Sequence, residues 1–213
     1  ADVESLDSTT MTEVQSSGEG ATLHVKDPVV FDSPAGGTAL MFCSHPFGWS
    51  SSNTGLAKRG EGEGEFVLQT RSVLERGATW DVACARVTDR LAVPQMGLLA
   101  GLPPLSLYFY DGAECLRSLD ENAKAVSRPR GYSCEELGGL AWGWDAEFPK
   151  MQRLSLDFPL FTSPHGTGCS RYVSTLKTQD GIMATWQQSQ PDRSQPLVGN
   201  FLDSAAVESQ LAG

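Results

Sequence analysis

Few residues in this 213-residue chain are spaced for chemistry, and each candidate set is incomplete as it stands. Cys43-Ser-His45 puts a thiol and an imidazole on the same side of an extended segment, and a zinc site would need two further ligands, such as His165 and Cys169, brought to it by the fold. The histidines are His24, His45 and His165, and no G-x-S-x-G elbow is present, so a nucleophile with its base is not marked out locally. Glu135-Glu136 and the Asp145/Glu147 pair are carboxylates suited to acid–base work, but they fall in loop-like sequence where solvated charge is expected. Gly60-Glu-Gly-Glu-Gly-Glu65 has the glycines of a phosphate loop, yet its carboxylates repel phosphate and no Gly-Lys-Ser/Thr follows. Trp142-Gly-Trp144, with Tyr132 and Phe148 nearby, is the aromatic set best suited to stack on a ligand or partner; the same residues could plug the end of a β fold. None of these sets carries a cofactor motif or a catalytic signature, and the expectation is a chain that is not an enzyme.

The elements that would position such residues are mainly strands. Thr22–Lys26, the stretch from Leu105 to Tyr110 and the stretch from Leu154 to Phe158 alternate two residue sets, Glu65–Val73 and Thr79–Thr88 have apolar residues on both faces of a period-2 pattern, and Thr38–Cys43 is a continuous apolar run. Ser170–Thr178 and Ile182–Gln188 flank Asp180-Gly181, a strong hairpin signal. Cys115–Val126 and Asp203–Leu211 have helical spacing, the latter with Asp203 or Ser204 as N-cap. Ser44–Gly64, Ala92–Pro104 and Ser127–Pro149 read as long irregular connections. Many short strands joined by Gly- and Pro-rich turns predict an all-β, mainly antiparallel sandwich or jelly roll with one or two short helices. The organisation expected is an acidic extended arm at 1–20, a β-sandwich at 21–200, and a tail or short helix at 201–213.

Charge narrows the partners. Five of the 26 acidic residues, Asp2, Glu4, Asp7, Glu13 and Glu19, lie in the first 20 positions, where no Lys or Arg occurs, so half of the net charge of −10 sits in the arm. An acidic surface repels phosphate backbones, and nucleic acid bound through a basic arm is not expected. No apolar run reaches the roughly 20 residues of a membrane span, and the first residues do not form a signal peptide. The start at Ala1 would suit either a processed product or removal of an initiator Met. Five widely spaced cysteines, no C-x-x-C and no glycosylation acceptor favour a reducing, intracellular setting.

Two resemblances go further. Leu154-Ser-Leu-Asp-Phe-Pro-Leu-Phe-Thr-Ser-Pro164 resembles the strand-then-loop segment of the jelly-roll coat subunits of small icosahedral picorna-like viruses, and Thr38-Ala-Leu-Met-Phe-Cys-Ser-His-Pro46 looks like their first long core strand. That resemblance implies a capsid subunit located in the virion, assembling with other capsid subunits through loops and termini, with no cofactor. Ser170–Gln188 is similar to the closing hairpin of lipocalin-like barrels, which implies a small hydrophobic or tetrapyrrole ligand; the first-strand G-x-W is missing, since Gly48-Trp49 follows a strand. A third alternative is an enzyme whose site is assembled from distant residues.

Overall fold

In the computed structural model, residues 3–17, 25–44, 52–62, 64–113, 136–192 and 194–212 are described. Among the described residues eleven strands are formed: β1 (Val25–Asp32), β2 (Thr38–Ser44), β3 (Asn53–Arg59), β4 (Val67–Leu74), β5 (Cys84–Ala92), β6 (Leu105–Ala113), β7 (Glu136–Trp144), β8 (Gln152–Arg153), β9 (Ser170–Lys177), β10 (Gly181–Gln188) and β11 (Leu197–Asp203). They make three antiparallel sheets in the orders β1-β2-β3-β4, β5-β6-β7-β8 and β11-β10-β9, so every ladder joins strands consecutive in the chain. An α-helix, α1 (Ser204–Leu211), follows β11, N-capped by Asp203 through a 2.7 Å bond from the Ala206 N–H. The protein is an all-β sandwich, as its alternating pattern predicts. The described part of the N-terminal arm, 3–17, contains two short 3-10 turns and is almost wholly exposed over 4–17. No described helix is long and apolar enough to cross a membrane.

The core lies between the first two four-stranded sheets. Ala39 and Met41 of β2 and Leu56 of β3 meet Ala85 and Val87 of β5, Tyr108 and Tyr110 of β6, and Leu137 and Ala141 of β7. Leu40 and Phe42 point the other way into a second cluster with Ala57, which is why β2 reads as an unbroken apolar run. The interior is filled by side chains and the described sheets remain open, unlike a lipocalin barrel with a ligand-filled lumen.

Three strands run through sequence that looks like loop. In β7, Glu136-Leu-Gly-Gly-Leu-Ala-Trp-Gly-Trp144, the glycines answer to space. A Cβ on Gly139 would stand 2.4 Å from the Tyr110 ring, and one on Gly138 would stand 1.8 Å from the Phe161 ring. Gly55 in β3 likewise leaves room for the Phe42 ring. Large rings laid across strand glycines pack the sheet while hiding the strand from a reading of composition. The third, β11, lies in sequence without a strand period just before the C-terminal helix; it pairs with β10 from Gly181↔Asp203 to Gln187↔Leu197.

The opposite error occurs at 154–158. Its alternation predicts a strand, but Leu154, Leu156 and Phe158 are 51%, 68% and 62% exposed, so the periodicity marks no buried face. The chain leaves the β7 edge after the Leu154 N–H donates to Leu140 and returns where Gly138 bonds Phe161. The first part of Thr79–Thr88 is turn rather than strand, with β5 beginning at Cys84. The predicted helix at Cys115–Val126 lies outside the described residues.

Candidate functional site

Register places three charged side chains side by side on the second sheet. Arg86 of β5 pairs directly with Asp111 of β6, and Glu136 at the start of β7 pairs with Ala113, two positions along from Asp111. Their neighbours Ala85, Val87, Tyr110 and Leu137 face the core, so strand alternation turns Arg86, Asp111 and Glu136 to the opposite face. There β9 covers them. The Tyr172 N–H donates to both oxygens of Asp111 at 3.1 and 3.2 Å, and the Thr175 N–H and hydroxyl donate to Asp89. Carboxylates of the second sheet thus occupy N–H groups that β9 does not pair with β10.

Arg86 is the hub. Its Nη1 lies 2.9 Å from Asp27 Oδ2, and its Nη2 lies 2.6 Å from both Asp111 Oδ2 and Glu136 Oε1. The other oxygen of Glu136 accepts from Arg171, whose Nε donates to Gln187 Oε1 at 2.9 Å. The Tyr172 ring lies 4.3 Å from the Arg86 guanidinium carbon and 5.1 Å from that of Arg171. Arg86 Nε is buried without a hydrogen-bond partner among the described residues. Four side chains from four strands, far apart in sequence, therefore converge on one guanidinium, and Arg171 joins them through Glu136.

The backbone is strained at two of these positions. Asp27 has φ +53° and Tyr172 has φ +55°, left-handed values that glycine tolerates and other residues seldom adopt. Each sits where pairing register shifts, at the bulge of β1 between Lys26 and Val29 and at the bulge of β9 opposite Trp186. Asp27 also precedes Pro28, a position normally pushed to extended backbone. The bulges aim the Asp27 carboxylate and the Tyr172 ring at Arg86 from two different sheets.

Electrostatics follow from the count of three carboxylates against two guanidinium groups. Burial raises the Asp111 carboxyl to about 7; Arg86 opposes the shift and Glu136 adds to it. Burial also works against charge on Arg86, but Glu136 and Asp111 outweigh it and hold the guanidinium above its usual range. A proton on Asp111 balances the cluster. Asp111 and Arg86 are 1% and 3% exposed, whereas Glu136 is 13% and Asp27 29% exposed, so the last two are the carboxylates within reach of solvent. A cavity of ≈ 230 Å³ opens over this edge, lined by Asp27, Pro28, Val29, Val87, Thr88, Tyr172, Val173 and Ser174.

The sequence candidates fall differently. Glu136 is a doubly ion-paired member of the hub, not solvated loop charge; Glu135 lies outside the described residues. Asp145 and Glu147 diverge: Asp145 accepts from Ser106 at 2.6 Å, and Glu147 pairs with Lys150 at the surface. Cys43 and Cys169 are buried and His165 is exposed, His45 lies outside the described residues, and among the described residues no group of three His, Cys, Asp or Glu could hold a metal ion. Trp142 and Trp144 stand on strand β7, not in a loop, half-buried and edge-to-face at 5.3 Å. Phe148 belongs to the core, 9% exposed and packed edge-on to Phe31, and Tyr132 lies outside the described residues. Arg86, Asp111, Arg171, Tyr172 and Asp27 were missed. The available signal was a charge inside an apolar strand, Ala83-Cys-Ala-Arg86-Val87, since such a charge must find a partner.

No family model matches the chain, and no curated protein matches it. Among solved structures, the fold matches one titled "Glycoside hydrolase", with a TM-score of 0.53 and 12% identity over 84% of this chain. The match takes in 53% of that structure's chain, so this protein corresponds to about half of it. The sandwich expected to mark a coat subunit is thus shared with a protein titled as a hydrolase. The reading as a capsid subunit, and with it the expectation that the chain is not an enzyme, is corrected by this match.

Proposed function

We propose that this chain is a carbohydrate-acting hydrolase whose site is the Arg86 hub beside the ≈ 230 Å³ cavity, with which it shares Asp27 and Tyr172. The observation that carries the reading is the convergence of Asp27 and Glu136, carboxylates from different strands, on opposite arms of one buried guanidinium. Glycosidic-bond cleavage uses such a pair, one carboxyl giving a proton to the leaving oxygen while the other acts as base or nucleophile. The likeness of the fold to a structure titled glycoside hydrolase supports the same reading. Arg86 holds the two acids in position, and Asp111 beneath them is a positioning residue whose proton sets the charge of the group.

The test is release of reducing ends from a panel of soluble polysaccharides. The unaltered chain is expected to hydrolyse at least one of them. Asp27→Asn and Glu136→Gln are each expected to lower kcat/KM by roughly 10²–10⁴-fold, with the β-sheet circular dichroism and melting temperature retained. Absence of hydrolysis across the panel, or full activity in either amide variant, would overturn the reading.

A further inference from the structure

We propose that the Asp27–Tyr172 cavity is the sugar-binding subsite, that Tyr172 is its stacking and specificity-determining residue, and that it takes an uncharged glycan rather than an acidic one. This rests on the reading of the site as carbohydrate-acting and adds the substrate class.

The shape of the cavity sets the size of what enters. At ≈ 230 Å³ it falls below the roughly 300 Å³ at which sites for whole drug-sized ligands begin, so it holds one end of a longer molecule, such as a terminal ring. Its wall combines an aromatic ring, Tyr172, with a carboxylate, Asp27, and the hydroxyl-bearing Thr88 and Ser174. Sugar rings pair an apolar face with a rim of hydroxyls. A ring face answers the first, and carboxylate or hydroxyl acceptors answer the second.

Charge chooses between neutral and acidic sugars. No Lys or Arg is among the described lining residues. The nearby cations are already committed, Arg86 to Asp27, Asp111 and Glu136, and Arg171 to Glu136 and Gln187. A uronate or sulfate entering the cavity would meet the Asp27 carboxylate with no cation to offset the repulsion. Both side chains that touch the Arg86 guanidinium from the cavity wall, Asp27 and Tyr172, are in left-handed conformation. Strained backbone of this kind clusters at ligand sites.

Native gel electrophoresis through embedded polysaccharide tests the proposal, with laminarin, xyloglucan and galactomannan as neutral probes and polygalacturonate and alginate as acidic ones. The unaltered chain should be retarded by at least one neutral probe and by neither acidic one. Tyr172→Ala and Tyr172→Gly should weaken that retardation about tenfold, the loss of roughly 1.4 kcal/mol expected for a stacked ring. Glycine suits φ +55°, so Tyr172→Gly should melt no lower than Tyr172→Ala, which separates lost binding from lost folding. Retardation by an acidic probe, by no probe, or undiminished in both Tyr172 variants would overturn the proposal. Tyr172-dependent binding without any hydrolysis would overturn the hydrolase reading and leave this subsite standing.

Discussion

Asp111 is the residue whose ionisation has the widest consequence. Its folded-state carboxyl titrates at about 7 against an ordinary 3.8, because burial disfavours the anion more than Arg86 favours it. A folded pKa raised above the unfolded one means that the folded state keeps a proton the unfolded state has lost. The stabilisation is complete below about 3.8 and disappears as pH rises through about 7. Melting or urea titrations from pH 5 to 8 should show the unaltered chain losing stability with rising pH relative to Asp111→Asn, by up to about 1 kcal/mol per pH unit. Parallel curves for the two proteins would show that Asp111 does not carry that proton. The same residue scale explains the miss in the sequence. Arg86 and Asp111 look like ordinary charges in β-like runs, and their partnership across 25 positions depends on the β5–β6 register.

At the scale of elements, β7 is defined by what lies over it. Gly139 exists to admit the Tyr110 ring, which itself stacks on Trp80 at a centroid distance of 5.6 Å. Gly139→Ala should therefore destabilise by about 1–3 kcal/mol as overpacking does. Gly101→Ala, where a Cβ would meet nothing within 4 Å, should be near neutral in the same denaturation series. Equal effects at the two sites would contradict the packing argument. β7 was illegible as a strand because its glycines replace the apolar side chains that give a strand its period. The β9–β10 hairpin and the Asp203 cap were legible because a turn dipeptide and an N-cap act through neighbours in the chain.

For the whole molecule, the third sheet stands on the outer face of the second through two carboxylates, Asp111 at Tyr172 in the β9 bulge and Asp89 at Thr175 beyond it. β9 forms one wall of the cavity and β1 the other, so the site depends on how the sheets are docked. Asp89→Ala removes one attachment and none of the proposed catalytic carboxylates. Hydrogen exchange should quicken in β9, at Thr175 first, while β5, β6 and β7 keep their protection. Uniform acceleration through all three sheets would mean that the third sheet does not open separately.

The amino-acid sequence by itself determined the all-β class, the closing hairpin, the capped terminal helix and the acidity of the arm, since each rests on local periodicity, turn chemistry or composition. Tertiary structure alone decided which strands the glycines conceal, and that the 154–158 alternation buries nothing. It also decided the site. Asp27, Arg86, Asp111, Glu136, Arg171 and Tyr172 become a single group only when two bulges and three sheets bring them to one guanidinium, and the low dielectric of that place is what gives their charges a role.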